Sequence, residues 1–181
     1  MDENRKPILY GNKVTLRPIT LEDTALIIKW RNASEVRRNF IFQETLTNEM
    51  HEYWMETKVA NGEVIQYIIE DSDTGKPIGS VYFRDIDKRH NSAEYGIFIG
   101  ESDARGRGIG TEVAQLFLSY GFHTLALHRI SLRVLASNQI AYGCYVKAGF
   151  RYEGCFREMV CLDGKYCDVI FMAVLSEDVC R

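Results

Sequence analysis

The stretch Ala104-Arg105-Gly106-Arg107-Gly108-Ile109-Gly110-Thr111 interleaves three glycines with two arginines. Glycine lets the backbone turn with positive φ and approach a ligand closely, so several N–H groups can point at one anion. A helical pattern follows the stretch, and the start of a helix adds unpaired amides and the positive end of its dipole. The stretch therefore predicts a loop that binds phosphate.

The segments on either side of this loop place it between two parallel strands. Ser92 to Gly100 has the pattern of a strand and leads directly into the loop. After the loop, apolar residues recur at helical spacing, namely Ile109, Val113, Leu116, Phe117 and Tyr120. His128 to Leu135 then alternates with period two. Strand, loop, helix and strand in this order form a βαβ unit, which makes the two strands parallel.

The rest of the chain alternates between strand and helix patterns. Helices are predicted for Leu21 to about Asn32, Thr47 to about Ala60, and Gln139 to Ala148. Strands are predicted for Lys13 to Pro18, Val64 to Glu70, Pro77 to Asp87, Phe150 to Val160 and Lys165 to Leu175, with hairpin turns at Asp73 to Lys76 and Leu162 to Lys165. Glu35 to Phe42 is either a connector that packs on the core or one wall of a substrate site.

These patterns predict a mixed α/β fold. We expect a central, mostly antiparallel sheet of six to seven strands, one parallel βαβ crossover and about four helices. We expect one domain over residues 1–181, with an N-terminal extension at 1–12 and a core at 13–176. A nucleotide-binding domain is the competing interpretation of the loop. Its glycines follow neither G-x-G-x-x-G nor G-x-x-x-x-G-K-[ST], and a doubly wound fold would not place an antiparallel meander before them.

Composition narrows the classes of function. The chain has 181 residues, of which 46% are hydrophobic and 26% are charged, as in ordinary soluble proteins. A net charge of −3 argues against a general nucleic-acid binder. No apolar run approaches ~18 residues, and Met1 to Lys6 lacks the apolar core of a signal peptide. We therefore expect a cytoplasmic protein with neither a nucleic-acid nor a membrane partner.

Cysteine and histidine spacing predicts no metal site. The cysteines form no C-x-x-C pair and are odd in number, and the histidines are scattered along the chain. We interpret the cysteines as small side chains in a reducing compartment. They are Cys144, Cys155, Cys161, Cys167 and Cys180.

Two motifs in this order carry a resemblance to a known family. Arg105 to Gly110 matches the R/Q-x-x-G-x-G/A acyl-CoA signature of the GCN5-related N-acetyltransferases. The run from Asn138 to Phe150 resembles that superfamily's downstream motif N-x-x-A-x-x-x-Y-x-K-x-G-F. The predicted order of elements from Val14 to Leu175 also resembles the family's. The resemblance implies the GNAT fold, acetyl-CoA as donor and a primary amine as acceptor.

The resemblance also implies roles for individual residues toward the donor. Phe98, Ile99 and Gly100 would present a strand edge to the pantetheine amides. Asn138 would donate a hydrogen bond to the pantetheine arm or serve only as a helix N-cap. Lys147 would lie near the nucleotide or be a solvated surface lysine. Backbone amides of the loop would hold the pyrophosphate, helped by the side chains of both arginines; the loop residues are Arg105, Gly106, Arg107, Gly108, Ile109, Gly110 and Thr111.

Two residues are candidates for catalysis. Tyr145 matches the family's general acid, which would protonate a departing thiolate of pKa ~8.5. An alkylamine of pKa ~10 must lose a proton before it can attack, so a base is needed. Glu94 is our candidate base, or else a carboxylate paired with an arginine on a neighbouring strand. Glu153 and Glu158 are the alternative candidates for the base.

The acceptor site is less well defined. Trp30-Arg31-Asn32, Val36-Arg37 and Glu52-Tyr53-Trp54 resemble the branch that acetylates ribosomal-protein N-termini, spermidine or nucleotide-linked amino sugars. The first two patterns lean toward amino sugars, whose phosphates need cations, whereas a polyamine needs carboxylates. The candidate acceptor residues are Trp30, Arg31 and Arg37, with Arg38 as a further cation, although all of them also suit helix packing.

Two functions fit these observations. The first is an acetyl-CoA-dependent N-acetyltransferase in which a small-molecule amine or a protein N-terminus attacks the thioester directly. The second is a non-catalytic acyl-CoA-binding or sensor domain of the same fold. We also expect a homodimer that pairs through the aromatic-rich strand from Tyr166 to Met172.

Overall fold

Eight strands form one mixed sheet in the computed structural model of the protein, which describes residues 6–179. Their spatial order is β1-β2-β3-β4-β5-β6-β8-β7. Residues 1–5, most of the N-terminal segment that we compared with a signal peptide, lie outside the described residues. Cys180 lies outside them as well. The strands are β1 Leu9–Tyr10, β2 Val14–Pro18, β3 Ile65–Asp71, β4 Pro77–Asp87, β5 Ser92–Ile99, β6 Arg129–Leu135, β7 Arg151–Leu162 and β8 Lys165–Leu175.

Helices cover both faces of the sheet. They are α1 Thr24–Asn32, α2 Ser34–Arg37, α3 Asn48–Trp54, α4 Ile109–His123, α5 Gln139–Ala148 and α6 Ser176–Val179. The helix predicted from Thr47 to Ala60 is confirmed, but it continues beyond α3 as a π-helical turn, Met55–Val59. Thr47 caps α3, because its side chain accepts a hydrogen bond from the Met50 amide at 3.3 Å. None of the described helices is both long enough and apolar enough to span a bilayer.

The predicted fold class is confirmed, with more strands and helices than expected. The additional strand β1 lies inside the predicted N-terminal extension, where Leu9 pairs with Leu16 and Tyr10 with Thr15. The carbonyl of Pro7 also accepts a hydrogen bond from the Tyr67 hydroxyl at 3.0 Å. The sequence does not reveal this strand because two residues are too few to show alternation.

The parallel pair β5–β6 separates after three residues. The paired residues are Ser92 with Arg129, Ala93 with Ile130, and Glu94 with Ser131. Beyond them β5 runs on to Ile99 and β6 to Leu135 without pairing to each other. The carboxyl ends of the two strands therefore diverge and leave an opening in the sheet beside the start of α4.

The last strand, β8, lies between β6 and β7 and pairs with both. Val169 to Met172 is therefore paired on both sides inside the sheet and cannot pair across a dimer as we predicted, whereas Tyr166 and Cys167 pair with β7 alone. The free edge on this side is β7, on which Tyr152 and Phe156 are each 55% exposed. The hairpin itself is as predicted, but its neighbours depend on strand order, which the local pattern does not encode.

The hydrophobic core has one cluster on each face of the sheet. Under α4, Phe83 and Phe117 stack with ring centroids 4.2 Å apart. Under α1, Trp30 packs against Phe98 with centroids 6.3 Å apart. Successive side chains of a strand point to opposite faces, so β5 contributes Tyr95 to the first cluster and Phe98 to the second. Both clusters hold β5 in place where it leaves β6.

Candidate active site

The glycine-rich loop has the geometry of an anion cradle. Gly106 and Gly108 have φ of +77° and +80°, which L-residues with side chains rarely adopt. The Arg105 amide donates to the Ser102 carbonyl, and the Glu112 amide to the Gly108 carbonyl, each at 3.2 Å. Between them, within the described residues 6–179, the amides of 106–111 have no intramolecular acceptor. Six consecutive amides, but not that of Arg105, are thus free to bind an anion at the start of α4.

Both arginines of the loop make intramolecular contacts instead of adding free charge to the cradle. Arg105 forms an ion pair with Glu35 at 2.6 Å, and its Nε also donates to the Ile99 carbonyl at 3.3 Å. Arg107 forms an ion pair with Asp71 at 3.0 Å. These contacts correct the expectation that both side chains help to hold the pyrophosphate: they brace the loop against α2 and β3.

Lys13 supplies a cation at the loop that the sequence did not indicate. Its Nζ donates to the Arg107 carbonyl at 3.0 Å and lies 3.6 Å from the position of a β-carbon on Gly108. Its backbone amide donates to the Glu112 carboxylate at 2.7 Å. Lys13 precedes the loop by more than 90 residues, so no local spacing could connect the two.

Only part of the predicted strand edge faces the opening. The Gly100 amide donates to the Ile78 carbonyl of β4 at 2.8 Å. Backbone groups alternate sides along a strand, so Phe98 also faces β4, while Ile97 and Ile99 face the opening. This corrects the assignment of Phe98 and Gly100 to the pantetheine edge and adds Ile97. The sequence identifies the strand but not which of its edges each residue faces.

Helix α5 brings three predicted residues to this region. Asn138 is an N-cap, since its Oδ1 accepts from the Ala141 amide at 3.2 Å, and within the described chain its side-chain nitrogen has no partner. Lys147 is exposed, and no partner of its ammonium is found in residues 6–179. A β-carbon on Gly110 would lie 3.8 Å from the Cys144 sulfur, so α5 packs closely on the start of α4.

Tyr145 is buried on α5, with 9% of its surface exposed. Its ring meets that of Tyr95 edge-on, with centroids 6.1 Å apart, and packs against Phe150. Burial raises the pKa of Tyr145 well above its usual value, which keeps the phenol protonated. No described residue accepts or donates a hydrogen bond at its hydroxyl. Tyr145 is therefore a proton donor without an intramolecular acceptor.

Glu94 lies between two arginines at the last paired position of β5. Arg84 of β4 binds Oε1 through both Nε and Nη2, and Arg133 of β6 binds Oε2 at 2.9 Å. The carboxylate is only 16% exposed. Two guanidinium groups occupy both of its oxygens, which favours the ion-pair interpretation over that of a base.

The phenol ring of Tyr82 covers the point where β5 leaves β6. A β-carbon on Gly96, two residues past the last pair, would lie 2.5 Å from the Tyr82 hydroxyl oxygen. Burial raises the pKa of this phenol, and the charges of Arg84 and Arg31 act against the rise. Sequence reasoning missed Tyr82, because only its cross-strand position reveals the role.

The two alternative candidates for the base lie away from the place where β5 leaves β6. Glu153 and Glu158 are on β7, separated from β5 by β6 and β8. Glu153 forms an ion pair with Arg129, which lowers the pKa of that carboxyl group. Neither position is on a strand next to the opening, so the structure does not bring them into the site.

The three residues of the Trp30-Arg31-Asn32 motif have separate structural positions. Trp30 is 1% exposed, and its Nε1 donates to Glu101 at 2.8 Å, so it is a core residue and not the substrate contact that we expected. The Asn32 side chain donates a hydrogen bond to the Leu46 carbonyl and accepts one from the Leu46 amide, each at 2.8 Å. These two hydrogen bonds fix the loop between α2 and α3. Arg31 lies under that loop, with its guanidinium carbon 3.5 Å from the ring centroid of Phe40.

Arg37 contacts the loop between α2 and α3. It is half-buried at the end of α2, and its Nη1 lies 3.5 Å from the Thr45 hydroxyl oxygen. This contact holds the same loop that Asn32 anchors at Leu46.

Comparison with known proteins decides the family. Residues 13–151 match the family model described as the acetyltransferase (GNAT) domain, which covers the loop, the opening and α5. The chain belongs to the GNAT acetyltransferase family. The donor is acetyl-CoA, and the activity is N-acetylation, so a merely CoA-binding domain is not favoured.

Several N-acetyltransferases resemble this GNAT protein along most of its length. The spermidine N(1)-acetyltransferase of Vibrio cholerae is 30% identical, over 92% of this chain and 95% of that protein. The enzyme of the same name from Escherichia coli K12 is 28% identical, over 92% and 88%. A crystal structure of the Vibrio cholerae spermidine N-acetyltransferase with CoA and spermine has a TM-score of 0.88 and 26% identity, and the match covers 94% of this chain and 100% of that one.

Proposed function

We propose that this acetyltransferase acetylates a primary amine, of a small molecule or a protein N-terminus, by direct attack on the thioester of acetyl-CoA. The observation that carries the proposal is Tyr145, a buried phenol whose hydroxyl has no acceptor among residues 6–179. It lies on α5, the helix packed against the start of α4 and the glycine-rich loop.

The chain offers a set of contacts that fits the donor. The free amides of 106–111, the dipole of α4 and the ammonium of Lys13 would hold the pyrophosphate. The backbone groups of Ile97 and the amide of Ile99 would pair with the pantetheine amides, since the Ile99 carbonyl already accepts from Arg105. The side-chain nitrogen of Asn138 would add a hydrogen bond to the same arm, and Lys147 would lie toward the nucleotide.

In the transfer step Tyr145 acts as the acid, and solvent serves as the base. The amine nitrogen forms a bond to the thioester carbon, the carbon–sulfur bond breaks, and Tyr145 gives its proton to the departing thiolate. The attacking nitrogen releases its own proton to solvent, and the Tyr145 phenolate takes a proton back from solvent. Glu94 is bound by two arginines, so we assign it the positioning of β4, β5 and β6 around the opening.

Two measurements test this proposal together. Calorimetry should show acetyl-CoA binding, and release of free CoA in the presence of an amine panel should show turnover. Suitable amines are spermidine, N-terminal peptides, aminoglycosides and UDP-linked amino sugars. Binding of acetyl-CoA without CoA release for any amine would contradict acetylation and favour a sensor domain.

Three further expectations from the sequence stay predictions. A single domain over 1–181 predicts one cooperative unfolding transition. A cytoplasmic location can be tested by cell fractionation. A homodimer, which light scattering would detect, would now use the β7 edge; one solved relative, the spermidine N-acetyltransferase of Vibrio cholerae, is described as dodecameric.

A further inference from the structure

The indole ring of Trp30 lies directly on the backbone that follows β5. A β-carbon on Gly100 would be 2.2 Å from Cγ of that ring and 2.3 Å from its Cδ1, so the ring fills the space that any side chain there would need. The ring also meets Phe98 edge-on, with centroids 6.3 Å apart. Phe98 and Gly100 are two residues apart and share one face of the sheet. Trp30 therefore contacts this part of the chain at two successive positions on that face.

A hydrogen bond fixes the orientation of the indole ring. Nε1 of Trp30 donates to Oε1 of Glu101 at 2.8 Å, and the same oxygen accepts from Nζ of Lys29 at 2.7 Å. The side chain of Glu101 is only 19% exposed, so water competes little for it. A hydrogen bond to a carboxylate is stronger than one between neutral groups. Through Trp30 and Glu101, α1 is thus bonded to the chain just beyond β5.

Backbone hydrogen bonds hold the same segment from another direction. The amides of Gly100 and Glu101 both donate to the Ile78 carbonyl of β4, at 2.8 and 3.2 Å. These bonds run along the hydrogen-bonding direction of the sheet, whereas the indole presses on the face of the sheet. The two kinds of contact together fix where β5 ends.

This position matters because β5 has lost its other neighbour. Pairing with β6 ends at Glu94, and beyond it, within residues 6–179, β5 pairs with β4 alone. We propose that Trp30 and Glu101 are positioning residues for the donor. They keep the end of β5 where the free backbone groups of Ile97 and Ile99 can pair with the pantetheine amides, since hydrogen bonds weaken steeply when they are misaligned. This inference rests on the proposed function, which assigns that strand edge to acetyl-CoA.

Trp30→Phe tests the hydrogen bond, because it keeps an aromatic ring in the core and removes the donor to Glu101. Calorimetry should show about tenfold weaker binding of acetyl-CoA. Adenosine 3′-phosphate 5′-diphosphate, which is CoA without its pantetheine arm, should bind the variant and the native protein equally, because it reaches the glycine-rich loop but not the strand edge. Unchanged affinity for acetyl-CoA, or equal weakening for both ligands, would overturn the inference.

Substitutions of Glu101 test the other partner at a position that is less buried. Glu101→Gln keeps an oxygen acceptor for the indole and should keep most of the affinity for acetyl-CoA. Glu101→Ala removes that acceptor and should lose about tenfold. The double variant Trp30→Phe/Glu101→Ala should bind no more weakly than either single variant, because the two residues form one contact. Additive losses in the double variant would contradict a shared role.

Ile27→Val is the structural control, since Ile27 belongs to the same core cluster on α1 and is 3% exposed. It should lower stability and leave the affinity for acetyl-CoA unchanged. A loss of affinity as large as that of Trp30→Phe would show that any damage to this core weakens the donor site, which overturns a specific role of Trp30. The native protein separates the two proposals: its failure to bind acetyl-CoA would overturn the proposed function, whereas native binding with unaffected variants would overturn this inference alone.

Discussion

The ring of Tyr82 lies against the α-carbon of Gly96, so close that a β-carbon there would be 2.3 Å from the ring's Cζ atom. This contact joins β4 to β5 where β5 leaves β6. Only glycine fits beneath the ring. The opening for the donor therefore depends on a contact between two residues on neighbouring strands.

Gly96→Ala should destabilise the protein by about 1–3 kcal/mol, because the new methyl group forces Tyr82 out of its position. It should also lower kcat more than the stability loss explains. Chemical denaturation and steady-state kinetics measure the two effects. Gly143→Ala is the control, since nothing lies within 4 Å of its added carbon and alanine favours the helix by roughly 0.5–1 kcal/mol. Equal stability of Gly96→Ala and the native protein would contradict the contact.

Tyr145→Phe should reduce kcat by about 10²–10⁴-fold, because the thiolate then leaves without its proton donor. The KM for acetyl-CoA should hardly change, since the ring and its packing against Tyr95 remain. Tyr142→Phe, on the same helix and half-buried, is the matched control and should keep full activity. A fully active Tyr145→Phe protein would remove the acid from the mechanism.

The pH profile provides a second measurement of the same residue. Because burial raises the pKa of Tyr145, the acid stays protonated as pH rises through ~10, the usual value for a phenol. The rate should therefore increase with pH as the amine loses its proton and should show no fall below pH ~10. A basic limb in the native protein that Tyr145→Phe abolishes would mean that the pKa is not raised.

Glu94→Gln separates an ion-pair role from that of a base. Loss of the carboxylate leaves Arg84 and Arg133 without their shared partner and should cost roughly 1–3 kcal/mol or more of stability. The pH–rate profile of the folded variant should keep its shape. Glu153→Gln, whose ion pair with Arg129 is about 40% exposed, should cost ~1 kcal/mol or less. A stable Glu94→Gln protein with a flattened pH profile would restore Glu94 as the base.

Gly108→Ala should weaken acetyl-CoA binding about tenfold or more, because a φ of +80° is unfavourable for alanine and the free amides would turn away from the pyrophosphate. Gly75→Ala is the matched control: Gly75 has a φ of +68° in a hairpin turn and open space for a β-carbon. Both variants should lose a similar ~1–2 kcal/mol of stability. Calorimetry should then show weaker binding for Gly108→Ala alone, and equal affinity in both would count against the cradle.

Elements with strong local signals were predicted from the sequence. The glycine-rich loop, the helix after it and the parallel strands on either side are all confirmed, because each depends on residues a few positions apart. Gly108 has the positive φ that its position required. Strand β1 and the insertion of β8 between β6 and β7 were not predicted. The first is too short to show a pattern, and the second depends on pairing between distant segments.

The sequence by itself predicted the fold and the glycine-rich loop from local spacing, and its resemblance to the family implied Tyr145 as the candidate acid. Only the tertiary structure decided which charges are compensated. It pairs Arg105 with Glu35, Arg107 with Asp71 and Glu94 with two arginines, while Arg31 keeps a buried nitrogen without a partner. Coulomb interactions act over a few ångströms in space and are independent of separation along the chain. The sequence therefore indicates which charges are present, and the fold decides which of them are paired.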